Sequence, residues 1–429
     1  MNNDALATPR SLTGAEWVIV TVSEPLLWSR SPDETWMLNP RCRYIVNAIQ
    51  MESFKDKVDT VSELKNSRFF RPLRANQNLA SATILVERHR DRGFGDYLFL
   101  TGPLSYLRHL SGNSAQIDLY ALASHGKILD NHPALSHPVT FAGPIHYDNL
   151  PLYNYHWFID TVTEYDEERD QLNVYDALYK QLGVEPSGVD ARFKRPSMAL
   201  SNLDYSDLDS LYYFIFSNRK LDLRRTGYYV VAPSTNSTLR SASYSMWLKT
   251  IYHLAKIRPV VVVGQPTSVR APAVDMPYGT FVGQIDHVGS NVINLIGTTP
   301  IRVVASLISR ATCCFTLDSG LLYVAQALRV PCVSLWGPIS PFSRIGYDQD
   351  YLDLAIWNRE SCVHASCFAY QSFPVKKCPR GINQIACEPL YRVSTEQILD
   401  KAKLVEDRTN SAATPPTPPA AARATAAPR

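Results

Sequence analysis

The chain has 429 residues, 45% hydrophobic, 10% aromatic and 19% charged, and its 43 Lys+Arg against 40 Asp+Glu leave a net charge of +3. That length suggests two or three domains at roughly 100–200 residues each, with enough apolar content for packed cores and too much for general disorder. The near-neutral balance counts against an electrostatically driven nucleic-acid binder. No run approaches the ~18 apolar residues of a membrane span, and residues 1–30 lack signal-peptide order, so the composition reads as soluble and cytoplasmic.

In chain order, residues 1–80 read as an N-terminal extension of mixed structure packed on the adjoining domain. Val18-Ile19-Val20-Thr21-Val22 predicts a strand, and Pro25, Pro32, Pro40 and Pro72 punctuate the rest. Thr83-Ile84-Leu85-Val86 predicts a short buried strand, followed by a Gly-bearing loop and a helix over Tyr97–Leu110. Ile117-Asp118-Leu119-Tyr120 is the next strand and Gln171–Leu182 the next helix. A second alternation runs through a strand at Tyr228–Ala232, a helix at Ser245–Ile257 and the β-branched strand Val260–Val263. It continues with strands at Val292–Ile296, Cys313–Leu317 and Cys332–Leu335, and helices at Ile301–Ser309 and Gly320–Leu328. Strand–helix alternation of this kind implies parallel sheets with right-handed crossovers. We therefore expect two Rossmann-like domains, 81–220 and 221–405, joined near 215–227 and facing a cleft. The Ala/Pro/Thr composition from Thr409 onward predicts a disordered tail, placed at 406–429.

In doubly wound sheets ligands bind beyond the carboxyl ends of the strands, so the loops there carry the chemistry. Arg92-Gly93-Phe94-Gly95-Asp96 follows the first strand. Its glycines permit a tight turn and a close substrate approach, and Asp96 stands at the expected helix start, where a carboxylate also serves as an ordinary N-cap. Ala232-Pro233-Ser234-Thr235-Asn236-Ser237-Thr238-Leu239-Arg240 offers hydroxyls and a cation ahead of a helix, which suit phosphate oxygens or simply a polar loop. Leu317-Asp318-Ser319-Gly320 opens a third helix whose N-terminus would favour an anion. Asp318, like Asp96, is equally readable as an N-cap.

The order Gly95-Asp96…Pro103-Leu104, Arg240…Trp247, then Asp318-Ser319-Gly320…Gln326-Ala327-Leu328…Pro331…Trp336-Gly337-Pro338 resembles glycosyltransferase family nine, the ADP-heptose:lipopolysaccharide heptosyltransferases. The resemblance covers roughly residues 83–400, is strongest over 292–338, and extends to Cys362, Cys367, Cys378, Cys387 and Val393–Ile398. It implies a GT-B fold that binds a nucleotide sugar in its C-terminal domain and a glycan or lipid-linked glycan acceptor in its N-terminal one. It implies inverting, metal-independent transfer, with no cofactor beyond the donor, at the inner face of a membrane when the acceptor is lipid-linked. The position matching Asp96 is the general base, with Gly93 and Gly95 in the acceptor loop. Ser234, Thr235, Arg240, Gln265, Asp318, Ser319, Gly320 and Tyr323 match the donor side. A carboxylate can take the acceptor proton, while Arg and helix N–H groups replace the metal used by other transferases. Two positions depart from the family: Tyr323 stands where members commonly have His, and Gly264-Gln265-Pro266-Thr267-Ser268 lacks their carboxylate.

Other features carry less. The spacing of the four cysteines over 362–387 is not the paired CxxC of a zinc ribbon, and free thiols are favoured over a structural metal or disulfides. Asp207-Leu208-Asp209 is formally a DxD but reads as solvated. His125, His132, His137 and His146 read as loop or satisfied histidines. Two alternatives stay open: a non-catalytic GT-B binding or assembly protein, and a transferase acting on a protein or a modified nucleic-acid base.

Overall fold

A computed structural model describes residues 17–31, 34–38, 40, 44–47, 51, 55–63, 73, 77–88, 93–121, 128–137, 140–141, 145–146, 153–158, 173–235, 237–265, 275–367, 378 and 387–413. Arg92, His125, Asn236, Pro266-Thr267-Ser268 and the chain beyond Ala413 lie outside them.

The C-terminal half is built on a six-stranded sheet, ordered β13(Val292–Asn294)-β12(Val260–Val262)-β11(Tyr229–Ala232)-β14(Cys313–Leu317)-β15(Cys332–Leu335)-β16(Ala355–Ile356). Every pairing in it is parallel. All residues of β11, β12, β14 and β15 are buried, as β-branched and aromatic runs covered on both faces require. Crossovers leave β11 in one direction toward β12 and β13 and in the other toward β14 to β16. The topological switch point therefore lies between β11 and β14, and their carboxyl-end loops flank the natural crevice.

The N-terminal half repeats this on a smaller parallel sheet, β10(Tyr155–Phe158)-β6(Thr83–Arg88)-β7(Gln116–Ala121)-β8(Thr140–Phe141). The order reverses at β6, which leads into the helix Phe94–Leu110. Within residues 1–80, β1(Trp17–Val22), β4(Tyr44–Asn47) and β5(Val58–Glu63) join β9(Ile145–His146) in an antiparallel sheet ordered β5-β1-β4-β9, and β2(Leu26–Ser31) pairs with β3(Glu34–Leu38). The extension is tied to the body, because β9 lies in the chain between β8 and β10 of the N-terminal parallel sheet and the Leu73 N–H donates to the Leu182 carbonyl at 2.8 Å.

One apolar cluster runs through both parallel-sheet halves, from Ile84, Leu98 and Leu104 to Val261, Leu322 and Tyr323. The helix Asn202–Arg219 crosses between them. It opens with a capping box in which Ser201 and Asp204 satisfy each other's N–H groups. The same Asp204 takes the Arg302 guanidinium, whose Nη1 and Nη2 also donate to the carbonyls of Ile128, Asp130 and Ala199. Burial alone would raise the Asp204 pKa, but hydrogen bonds from Arg302 and Ser201 bring it down to about 2.

Four expected elements need correction. The first helix begins at Phe94, not Tyr97, because Gly93 already stands at its N-cap position. The helices expected at Ser245–Ile257 and Gln171–Leu182 span Tyr244–Leu254 and Val174–Gln181, each with a side-chain cap, from Ser243 and Asn173. The tail expected from residue 406 is helical through Ala413, in the helix Thr395–Ala413. Ile398, Ala402 and Val405 repeat at helical spacing and are buried. Glu406 accepts from Arg258 Nε at 2.6 Å and from the Tyr229 hydroxyl at 2.5 Å. The Ala/Pro/Thr bias beyond that point hid this last anchored turn.

Candidate active site

Asp96 lies in the first turn of the helix Phe94–Leu110, and the N-cap is Gly93, which makes no side-chain cap. The capping interpretation of Asp96 therefore falls: it lies in the helix's first turn, half-buried. The two loop glycines differ. Gly93 has an ordinary φ of −58°, and a Cβ there would meet nothing within 4 Å. A Cβ at Gly95 would come within 2.8 Å of the Tyr323 ring and 2.9 Å of the Gly320 Cα. Gly95 therefore serves a close approach between two helices; the tight turn expected there is not what it provides.

Across that contact, β14 leads into Asp318-Ser319 and the helix Gly320–Ala327, whose N-cap is Ser319. Asp318 does not cap this helix either. Its carboxylate is buried, with Oδ1 accepting from the Tyr323 hydroxyl at 2.6 Å and Oδ2 3.7 Å from Arg240 Nη1. Arg240 Nη1 also donates to the Asp318 carbonyl at 3.1 Å. Its side chain is 21% exposed, against 6% for Asp318, so the cation reaches solvent and the anion beneath it does not. Ser319 Oγ lies 3.0 Å from Thr316 Oγ1, which donates to the Ala232 carbonyl and so links the β14 and β11 loops.

Arg240, Asp318, Ser319, Gly320, Tyr323 and Gly95 thus come together at the meeting of the two switch points. Ser234, Thr235 and Gln265 lie around the next loop. Ser234 Oγ is 3.5 Å from the Tyr278 hydroxyl, which donates to the Gln265 carbonyl at 2.7 Å. Thr235 turns inward: its Oγ1 donates to the Ser237 carbonyl and accepts from the Ser237 N–H. Gly264, at φ +157°, has Ser234 Oγ 3.1 Å from where a Cβ would be. Sequence reasoning missed Phe94 and Phe99. The Phe94 ring lies 2.5 Å from a Cβ built at Gly320, and the Phe99 ring centroid is 4.4 Å from that of Tyr323. A phenylalanine between two glycines, Gly93-Phe94-Gly95, was the signal available.

The remaining candidates stay apart from this site. Asp209 pairs at the surface with Arg224 at 2.7 Å, and Leu208 between the two aspartates of the DxD is buried. His132 is buried, within 2.9 Å of Ser197 Oγ, and its Nδ1 accepts from the Ala134 N–H at 3.2 Å; burial lowers its pKa to about 4. His137 faces Asp118 at 2.7 Å. Cys362, Cys367, Cys378 and Cys387 are free thiols that line one pocket with His364 and Glu388, beside Leu239 and Pro338. Burial, and then its neighbouring thiols, push the Cys387 pKa up. Among the described residues, no three or more His, Cys, Asp or Glu side chains form a ready-made metal site, and no helix is long and apolar enough to cross a membrane.

Residues 282–371 match the sequence model of the family described as Glycosyltransferase family 9 (heptosyltransferase). Lipooligosaccharide heptosyltransferase 2 of Haemophilus influenzae is 32% identical over 93 residues, which are 21% of this chain and 27% of that protein. The chain thus matches about a quarter of its curated relative's length. Among solved structures, the glycosyl transferase family 9 protein of Veillonella parvula superposes with a TM-score of 0.55 at 15% identity, covering 77% of this chain and 99% of its own. TibC of enterotoxigenic E. coli, described as an iron-containing dodecameric glycosyltransferase, gives 0.54 at 15% identity and covers 92% of this chain and 94% of its own. The chain therefore has the GT-B fold, and its segment 282–371, which holds the Asp318–Tyr323 loop, is similar to glycosyltransferase family 9.

Proposed function

We propose that the chain is an inverting, metal-independent glycosyltransferase that moves a sugar, heptose foremost, from a nucleoside-diphosphate donor to a glycan acceptor. The observation that carries this is the meeting of the two switch-point loops, with Asp96 on one helix N-terminus and the Arg240–Asp318 pair beside the other. Residues 81–220 form the acceptor domain in this reading and 221–405 the donor domain.

Asp96 takes the proton from the acceptor hydroxyl as its oxygen attacks the anomeric carbon. The bond from that carbon to the diphosphate breaks on the opposite face, and the electron pair leaves with the diphosphate. Arg240 and the N–H groups at Gly320 meet the developing negative charge in a partly enclosed site, where fixed dipoles act strongly. Purified protein incubated with candidate nucleotide sugars should release nucleoside diphosphate faster when cell glycans are added. No release with any donor, together with no thermal stabilisation by any nucleotide, would favour a non-catalytic GT-B protein instead.

The added antiparallel sheet, joined to the acceptor half through β9, favours a second reading in which the acceptor is a protein hydroxyl. Transfer to a denaturation-sensitive protein acceptor, and not to isolated glycan, would decide for it.

A further inference from the structure

Tyr323 touches both sides of the site. Its ring packs on Gly95 and Phe99 of the acceptor half, and its hydroxyl, buried with the ring, donates to Asp318 Oδ1 at 2.6 Å. The other carboxylate oxygen faces Arg240 Nη1 at 3.7 Å, longer than a direct hydrogen bond. We propose that Tyr323 is a positioning residue: it holds one oxygen of Asp318 so that Arg240 is steered by the other without being captured by it, leaving the guanidinium turned toward a diphosphate.

The physical argument is competition for one carboxylate. A phenol at 2.6 Å from an ionised oxygen in a buried setting makes a short charge-assisted bond, which fixes the carboxylate plane. Removing it leaves that carboxylate oxygen without the hydroxyl that held it, beside Arg240. The carboxylate then turns to a direct, bidentate pairing with Arg240, the geometry a guanidinium favours. A guanidinium neutralised in that way offers less to an incoming anion. Arg240 is already anchored by its bond to the Asp318 carbonyl, so a small rotation is enough. Because the same ring lies against Gly95, the alignment forms only when the acceptor-side helix is seated.

This rests on the donor-site reading above, and the experiment separates the two. The probe is whichever of ADP, GDP, UDP and CDP most raises the parent's melting temperature, titrated calorimetrically into the parent, Tyr323→Phe, Asp318→Asn, their double variant and Arg240→Ala. Tyr323→Phe keeps the ring and should melt within about 2 °C of the parent, yet bind the probe about tenfold more weakly. With a turnover assay in hand, KM for the donor rises by a similar factor and kcat by contrast changes less than about threefold. Asp318→Asn should weaken binding too, and the double variant should be no weaker than the worse single, since residues acting through one another are not additive. Parental affinity in Tyr323→Phe, or additive losses in the double variant, overturns the proposal. Should Arg240→Ala bind as the parent does, or no diphosphate bind the parent, the donor-site reading fails and this one with it.

Discussion

The loops after β6 and β14 have the same plan: a parallel strand at a switch point, an aspartate, a glycine, and a helix N-terminus aimed at the other half. They differ in what surrounds the aspartate. Asp96 is half-buried within the first turn of its helix, whereas Asp318 precedes its helix, is buried, and is shared between a phenol and a guanidinium. The two donors enclosing Asp318 fix its carboxylate plane. On the proposed reading, the two aspartates would take different roles, base and positioning group, because their surroundings differ.

The comparison breaks most decisively at Asp96. Asp96→Asn should lower transfer at least a hundredfold, in the range of roughly 10²–10⁴ for a lost general base, while nucleotide affinity measured by titration stays at the parent's level. An equal loss of both would mean that the two aspartates do the same job.

A second test asks whether the N-terminal half has its own pH sensitivity. Unfolded, the His132 imidazole takes a proton near 6.5; buried, it does so only near 4. Above pH 6.5 the residue therefore costs nothing, and between pH 6.5 and 4 stability falls as pH falls, by up to about 3 kcal/mol. Protonation would also remove the acceptor that Nδ1 offers to the Ala134 N–H. Denaturant melts across that window should show the loss, and His132→Gln should flatten it.

On the donor side, Arg240→Ala should cost about 2 kcal/mol of diphosphate affinity, as expected for a hydrogen-bonded charge, with transfer at saturating donor less affected. The smallest effect separates the glycines. Gly95→Ala forces a methyl against Tyr323 and the Gly320 backbone and should cost roughly 1–3 kcal/mol of stability. Gly93→Ala meets open space and should melt within about 1 °C of the parent, given the small effects of substitutions away from packed features. A matching cost at Gly93 would show that the loop's conformation, and not helix approach, is what glycine supplies.

Much of this was legible beforehand because it is local. The strands Cys313–Leu317 and Cys332–Leu335 and the helix Ile301–Ser309 have the bounds their apolar runs predict. The helix start at Phe94 and the last turns before Ala413 were misplaced for a different reason: a Gly-rich loop and an Ala/Pro/Thr tail look alike whether or not a partner anchors them. Glu406 has a definite place only because Arg258 and Tyr229, far away in the chain, converge on it. The thiols of residues 362–387 likewise looked scattered by spacing, yet they share one pocket.

Hydrophobic period, β-branched runs and turn residues in the sequence by themselves determined two parallel α/β halves and the strand-end loops that flank their crevice. Whether Asp96 and Asp318 cap helices or do other work was decided only by tertiary structure. A cap depends on a residue's own backbone, which sequence constrains, but a carboxylate's role depends on burial and on neighbours such as Tyr323 and Arg240. Those neighbours are brought to it by packing across strands, and no spacing along the chain records that.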